Sequence, residues 1–271
     1  MNDRTLRFTL LGTGSSGGVP RIGNDWGDCD PSEPKNRRRR CSALVELYEK
    51  GGGADATRIL IDTSPDLREQ LLSCGIESLD AVFITHDHAD QTHGIDDLRA
   101  LALRARAQIP IHMDNETAST LIPKFNYCFE GTGGYPPILD LQPLLNIGET
   151  RPVEGAGGMI DMFPVSQIHG RINSLGFRIG NLAYCNDVSE LPETSLEQLT
   201  QLEVFVVDAL RYTPHPTHAH LEQTLEWVSK LKPKRTMLTN LHIDMDYRTL
   251  LKELPKGVEP GFDGLSIEMP F

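Results

Sequence analysis

The sequence predicts an α/β fold in which mixed sheet is covered by helices, and three observations lead there. Short runs rich in apolar and β-branched residues recur along the chain, the pattern of strands with buried faces. The early runs follow one another as hairpin-like pairs. The later ones alternate with segments whose apolar residues repeat at helical spacing, as strand–helix–strand units do.

Taken in order, Arg7–Leu11, Ala43–Leu47, Arg58–Ile61, Ala81–Thr85 and Ile109–Met113 read as strands. Met159–Val165, Leu175–Ile179, Leu182–Cys185, Val204–Val207, Thr236–Thr239 and Leu265–Met269 follow. Asp66–Cys74, Gly94–Arg106, Glu116–Ile122, Leu196–Leu202, Leu221–Leu231 and Tyr247–Leu254 read as helices. Gly180-Asn181 between two apolar runs marks a tight hairpin turn. Ile22–Arg40 and Cys128–Leu144 are turn-rich and read as loops, of a length that in compact domains accompanies function or mobility. No repeat with a period of about 20–50 residues is present, and no linker divides the chain, so one domain over residues 1–271 is expected.

Composition narrows the class. The chain has 271 residues, 39% hydrophobic and 24% charged, with a net charge of −12. Such an acidic chain gains nothing from counterion release on a polyanion, so bulk nucleic-acid binding is not expected. No apolar run reaches the roughly 18 residues of a membrane span. The start, Met1-Asn2-Asp3-Arg4, leads into a strand-like run rather than the apolar core of a signal peptide, and a cytoplasmic protein is expected. Five scattered cysteines, Cys29, Cys41, Cys74, Cys128 and Cys185, include no C-x-x-C, so reduced thiols are expected rather than a disulfide framework.

Gly12-Thr13-Gly14-Ser15-Ser16-Gly17 matches the dinucleotide fingerprint G-x-G-x-x-G after a strand. That fingerprint needs a helix opening at its third glycine. Here Gly18-Val19-Pro20-Arg21-Ile22-Gly23 follows, which opposes a helix. A tight loop with a backbone nest is the expectation instead.

The central signal is His86-Asp87-His88-Ala89-Asp90-Gln91. It lies between a buried strand and an amphipathic helix, so several imidazoles and carboxylates share one strand-to-helix loop, where a divalent ion can be held. Other apolar runs also end in ligand-type residues: Asp62, His169, Asn186-Asp187, Asp208 and His242. One such residue alone is usually a cap or turn residue; several together argue for convergence on one sheet edge.

In order and context, Gly12-Thr13-Gly14-Ser15, Asp62, His86-x-His88-x-Asp90, His169, Asp187 and the final histidine region resemble the metallo-β-lactamase-fold hydrolases. Leu11–Pro20, Asn36–Cys41, His93–Arg99, Tyr184–Ser189, His215–Leu221 and Leu238–Tyr247 are similar to the bacterial cyclic-phosphate phosphodiesterases of the phosphoribosyl type. The resemblance implies an αβ/βα four-layer sandwich with two divalent metal ions, Zn or Mn, at the edge between the sheets. It implies that one ion takes His86, His88 and His169 with Asp187 bridging, and that the second takes Asp90, Asp187 and two further groups. Asp62 would orient a ligand histidine through its other ring nitrogen. It also implies a homodimer.

Two departures fall on the second ion. The family motif H-x-H-x-D-H has Gln91 at its last place, and the late histidine position holds Asn240, with His242 two residues on. An amide oxygen is a weaker ligand for zinc and acceptable to Mn²⁺, so the second site is expected to be weaker or less zinc-selective, with Gln91 and His242 as its candidate ligands. Some relatives hold a further structural zinc with clustered cysteines and a late histidine. Here Cys29 stands alone and Ile243 takes the late position, so that zinc is not expected.

The function expected is metal-dependent hydrolysis of a small cyclic phosphate or nucleotide-type phosphodiester by a metal-activated water. Its leaving alkoxide needs a proton. Within the cluster His215, His218 and His220, alignment to the branch makes His218 the first candidate for that acid and His220 the second. The catalytic set is then His218, His220, Asp90 and Asp62. Arg37–Arg40 is the one basic block of the chain; its functional reading, with Arg37 in front, is a phosphate contact, and its structural reading is an ion-pair network. Arg171, Ser15 and Ser16 are further phosphate-contact candidates, whereas His93 and His112 read as supporting residues. Thioester or lactone opening on the same fold, a tRNA-processing nuclease, and a nucleotide-binding protein with a degenerate second site are the alternatives, because function is set by the site and not the fold.

Overall fold

The computed structural model describes residues 4–52 and 55–271, so the chain start read above for a signal peptide lies largely outside the described residues. Contacts gather into two compact units. One comprises Met1–Leu11, Ser42–Met162 and Ser266–Phe271, the other Gly12–Cys41 and Phe163–Leu265.

The first unit contains β1 (Arg4–Gly12), whose last residue is counted with the second unit, then β2 (Ser42–Glu49), β3 (Thr57–Ile61), α1 (Leu67–Cys74) and β4 (Ala81–Phe83). A four-residue helix α2 (Ala89–Thr92), a 3-10 turn (Ile95–Leu98) and α3 (Arg99–Ala105) follow. Then come β5 (Ile109–His112), α4 (Asn115–Lys124), α5 (Asn126–Glu130), β6 (Leu139–Leu141) and β7 (Arg151–Gly155). Strand β8 (Gly158–His169) pairs antiparallel with β7 through its first residues, then continues into the second unit. The second unit adds β9 (Ile172–Ile179), β10 (Leu182–Cys185), α6 (Glu193–Gln198), β11 (Val204–Asp208), α7 (Leu221–Leu231), β12 (Arg235–Thr239), α8 (Tyr247–Glu253) and β13 (Val258–Pro260). The chain returns to the first unit in β14 (Ser266–Pro270).

Each unit repeats one plan. In the first, the sheet order is β14-β1-β2-β3-β4-β5-β6; β14–β1 and β2–β3 are antiparallel, and β3 to β6 run parallel. In the second, β8–β9 and β9–β10 are antiparallel and β10 to β13 run parallel. Parallel strands need crossover helices and are buried on both faces. Accordingly β11 is buried along its whole length, and β12 after its first residue. Leu60, Val82, Ile84, Ile111 and Leu121 centre one core; Ala183, Phe205, Val207, Leu238 and Leu250 centre the other.

The local signals act as the sequence indicates. The Gly180-Asn181 turn joins β9 to β10, with Ile179 opposite Leu182 and Gly180 at φ 56°. Asp114 caps α4 by accepting from the Thr117 amide at 2.8 Å, and Asp246 caps α8 by accepting from the Thr249 amide at 2.9 Å. Gly75, at φ 65°, closes α1 in the left-handed conformation. No helix opens at the glycine loop; the first helical turn after it is the 3-10 turn Pro34–Asn36.

Several boundaries differ from expectation. The helix read as Gly94–Arg106 is a 3-10 turn followed by α3, and α2 forms earlier, inside the histidine motif. Strand β4 stops at Phe83, and α6 begins at Glu193 behind Pro192. The loop read as Cys128–Leu144 holds the end of α5 and the strand β6. Strands β6, β7 and β13 escape the sequence because each is only three to five residues long and at most partly buried, so periodicity has too few points to act on.

Gly94 fixes where the histidine motif lies. Its amide donates to the Thr63 carbonyl at 2.8 Å, and a Cβ there would stand 1.9 Å from the Ser64 carbonyl oxygen. Gly94→Ala is expected to lower Tm by about 5 °C, as overpacking against backbone costs about 1–3 kcal/mol or more. Calorimetric unfolding measures this, and an unchanged Tm contradicts the close approach.

Candidate metal centre

In the first unit the site residues follow the carboxyl ends of β3 and β4. Asp62, at φ 64°, sits directly after β3. Its carboxylate accepts from the Thr85 amide at 2.8 Å and from Thr85 Oγ1 at 2.9 Å. Thr85 Oγ1 in turn lies 3.0 Å from His86 Nδ1. Since the threonine proton is committed to Asp62, Nδ1–H of His86 donates to Oγ1, and the Nε2 lone pair is left for a cation. Asp62 therefore orients His86 through Thr85. His86 is buried, His88 is exposed, and their rings meet edge to face at 4.5 Å. Burial pushes the Asp62 carboxyl up to about 8; the two Thr85 bonds oppose this, and Asp90 adds to it. A nearby cation would favour its ionised form.

Asp90 lies in the first turn of α2. Gln91 is buried; its carbonyl accepts from the Thr63 amide at 2.7 Å, and its Nε2 donates to Asp90 Oδ2 at 3.4 Å. Asp87 pairs with Lys124 at 2.6 Å. His93 is exposed and meets Phe125 edge to face at 5.8 Å. His112 stacks on Phe83 at 4.4 Å, and burial pushes it down to about 4, so it is neutral.

The second unit holds a matching set. His169, at the end of β8, has Nδ1 2.6 Å from the Thr217 carbonyl oxygen. That oxygen can only accept, so Nδ1 carries the proton and Nε2 the lone pair. Asp187, at φ 51°, follows β10, and its Oδ2 accepts from Asn186 Nδ2 at 2.8 Å. Ligand atoms of His169, Asp187 and His218 all lie within 4.8 Å of one another. His218 Nδ1 lies 2.8 Å from Asp208 Oδ2 and 3.4 Å from Asp187 Oδ1. Asp208 is fully buried, and its Oδ1 has no hydrogen-bond partner among the described residues.

Asn240, at φ 61°, joins these carboxylates: its Nδ2 donates to Asp187 Oδ1 and to Asp208 Oδ2, each at 3.2 Å. His215 packs its ring 5.2 Å from that of His218, and burial, followed by His218, pushes it down. His220 occupies the N-cap position of α7.

The other candidates fall elsewhere. His242 Nε2 contacts Arg21 Nη2, and its Nδ1 lies 2.9 Å from Asp244 Oδ1, so its ring is taken up by those two side chains. Ser15 is buried and Ser16 exposed; Arg171 is exposed in the turn after His169. Arg37 is exposed, whereas Arg38 is buried and donates to the Met245 carbonyl at 2.7 Å and the His242 carbonyl at 3.3 Å. Arg39 pairs with Asp263 at 3.1 Å. Cys29 takes a bond from Arg38 at 3.7 Å. Burial pushes the thiols of Cys29, Cys41, Cys128 and Cys185 up, which leaves them protonated and unreactive.

Within the second unit, His169 presenting Nε2 beside the buried carboxylates of Asp187 and Asp208, one oxygen of which has no partner among the described residues, makes a donor set that fits a divalent ion. Thr85 and Thr217, which fix the imidazoles of His86 and His169, carry no signal in the sequence. Asp208 does, as a strand-terminal acid, but its partner His218 becomes visible only in the fold.

Residues 57–243 match the family described as the β-lactamase superfamily domain. The chain belongs to that superfamily. A crystal structure described as a new diphosphatase from the PhnP family is 35% identical, covers 98% of this chain and 97% of its own, and superposes with a TM-score of 0.86; the chain is a member of that family as well. The metallo-β-lactamase-fold protein YhfI of Bacillus subtilis shares the fold at 15% identity and a TM-score of 0.71, over 98% of this chain and 99% of its own. A Porphyromonas gingivalis (strain ATCC BAA-308 / W83) protein named octanoyltransferase is 31% identical over 263 residues, 96% of this chain, but the chain spans only about half, 51%, of that relative's length. Two mixed sheets with crossover helices agree with the α/β metallo-β-lactamase fold expected, and superfamily membership with the His/Asp set makes this a metal-dependent hydrolase. Among the described residues, no helix is long and apolar enough to cross a membrane.

Thr85→Val breaks the relay from Asp62 to His86. The affinity for added zinc, measured by competition with a chelator, is expected to fall about 10–100-fold; an unchanged affinity places His86 outside the metal site.

Proposed function

We propose that the chain is a metal-dependent phosphodiesterase that hydrolyses a small cyclic phosphate or nucleotide-type phosphodiester. The observation that carries this reading is the pair His218–Asp208, 2.8 Å apart, beside His169 and Asp187. A carboxylate on Nδ1–H fixes the imidazole's orientation and favours its cationic form. That form can give a proton to a leaving alkoxide, which a phosphodiester releases and a thioester does not. The related protein described as a diphosphatase carries out hydrolysis at phosphorus, which supports a phosphoryl rather than an acyl substrate.

His86, His88 and His169, with Asp187, are the residues proposed to hold the first ion. Asp90, Asp187 and Gln91 are the candidates for a second; both ring nitrogens of His242, the fourth residue expected there, face Arg21 and Asp244 instead. A bound divalent ion supplies a water of lowered pKa and neutralises phosphoryl charge. Asp62 keeps His86 in the ligating tautomer through Thr85, and the Thr217 carbonyl does so for His169. Asn240 holds Asp187 and Asp208 together, and so sets the acid's carboxylate against the ligand's. The octanoyltransferase relative enters as a test arm only, because half of its length has no counterpart here.

Metal-stripped protein is assayed with bis(4-nitrophenyl) phosphate, a 2′,3′-cyclic nucleotide and an acyl thioester, each with Zn²⁺ or Mn²⁺ restored. Turnover of both phosphodiesters is expected only with metal, and none in His88→Ala. His218→Ala and Asp208→Asn are expected to lower kcat on the cyclic nucleotide about 10²–10⁴-fold. The loss on the nitrophenyl ester is smaller, since nitrophenolate leaves without a proton. Thioester turnover with both phosphodiesters inert overturns the proposal.

A further inference from the structure

We infer that His215 is a substrate-binding residue, which donates from Nε2 to an oxygen of the leaving group next to the one that His218 protonates; the inference rests on the phosphodiesterase reading above. Every residue it uses belongs to the second unit.

The backbone around His215 is braced. The local sequence is Thr213-Pro214-His215-Pro216-Thr217. Pro214 has a fixed φ, and Pro216 keeps His215 out of the helical region. Arg211 reinforces the loop: its Nε donates to the Thr213 carbonyl at 3.1 Å and its Nη2 to the Pro214 carbonyl at 2.7 Å.

The ring is fixed as well. The Thr217 amide donates to His215 Nδ1 at 3.3 Å, and Thr217 Oγ1 lies 3.2 Å from the same nitrogen. An amide N–H can only donate, so Nδ1 holds the lone pair and Nε2 carries the proton. Burial, and then His218, push the ring's pKa down, which keeps that tautomer neutral at neutral pH. The side chain is half-buried, and among the described residues its Nε2–H has no acceptor. Ordering a side chain costs conformational freedom. Here one nitrogen is tied twice and the loop is clamped, yet the other N–H serves no bond within the chain.

Position supplies a use for it. The His215 ring lies 5.2 Å from that of His218, which lies 4.7 Å from that of His169. Thr217 sets the two outer rings in opposite tautomers: its carbonyl takes the Nδ1 proton of His169, and its amide gives one to Nδ1 of His215. His169 thus presents a lone pair at Nε2 and His215 an N–H, on either side of the acid. A substrate whose leaving oxygen meets His218 brings the atoms next to that oxygen to His215. The group recognised is an acceptor, an ether or hydroxyl oxygen of the leaving alcohol. Bound substrate and transition state share such a contact, so it acts through KM.

The test compares two cyclic diesters on the metal-loaded chain. Adenosine 2′,3′-cyclic phosphate has further oxygens around its leaving alkoxide; ethylene phosphate, the cyclic diester of ethane-1,2-diol, has none. The wild type is expected to favour the nucleotide in kcat/KM. His215→Ala is expected to reduce that preference about 10-fold, through the KM of the nucleotide, and His215→Gln, which keeps an N–H, to recover part of it. A histidine that only supports the loop would lower both substrates together and leave the ratio unaltered. Equal kcat/KM for the two diesters in the wild type, a ratio unaltered in His215→Ala, or no recovery in His215→Gln overturns the inference. NMR of the imidazole nitrogens reads the tautomer directly, and a proton on Nδ1 of His215 at neutral pH also overturns it. If neither diester is turned over, the phosphodiesterase reading fails, and calorimetric binding of adenosine 3′-phosphate to the metal-loaded chain decides the role of His215 alone. Binding weakened in His215→Ala supports it, and equal or absent binding in both proteins overturns it.

Discussion

Two histidines in different parts of the chain hold their Nδ1 protons on acceptors that cannot give one back. For His86 the acceptor is Thr85 Oγ1, whose own proton is committed to Asp62; for His169 it is the Thr217 carbonyl. Both rings are thereby locked in the tautomer that presents Nε2 to a cation. An imidazole free to exchange tautomers would spend part of its time presenting N–H to the metal. The chemistry proposed here depends on these acceptors as much as on the histidines.

The backbone accepts strain to make that arrangement. Asp62, Asp187 and Asn240 all adopt left-handed conformations, which cost a residue with a Cβ about 1–2 kcal/mol, least for Asn and Asp. Each stands just after a strand of the parallel part of its sheet. Turning the chain sharply there keeps a short polar side chain near the strand end instead of carrying it off into a loop. Clusters of such residues mark sites where geometry matters more than local comfort.

Charge is arranged with similar selectivity. Within an acidic chain, the four arginines from Arg37 to Arg40 are placed differently: Arg37 is exposed, Arg38 is buried as a clamp on the 242–245 segment, Arg39 is paired, and Arg40 borders the glycine loop. The structural reading of the block thus describes Arg38 and Arg39. The polar amides at positions 91 and 240 also act on carboxylates, Gln91 on Asp90 and Asn240 on Asp187 and Asp208.

The sequence by itself determined the fold class, most strands and helices, and the residue types at the strand ends. It could do so because burial imposes periodicity and because metal ligands come from a short list of side chains. His86, Asp90, His169 and Asp187 stood out as candidates for that reason, and His218 only through the family resemblance; the turn-forming residues after the glycine loop marked the absence of a helix there. Edge strands of three to five residues were not, since periodicity needs length. The tertiary structure alone decided how these residues are used. It set Asp208 against His218, passed the hold of Asp62 to His86 through Thr85, and turned His242 toward Arg21 and Asp244. The bonds from Asp208 to His218, from Asp62 to Thr85 and from Arg21 to His242 join residues 10 or more positions apart along the chain. Sequence lists which donors and acceptors exist, and only the folded chain chooses their partners.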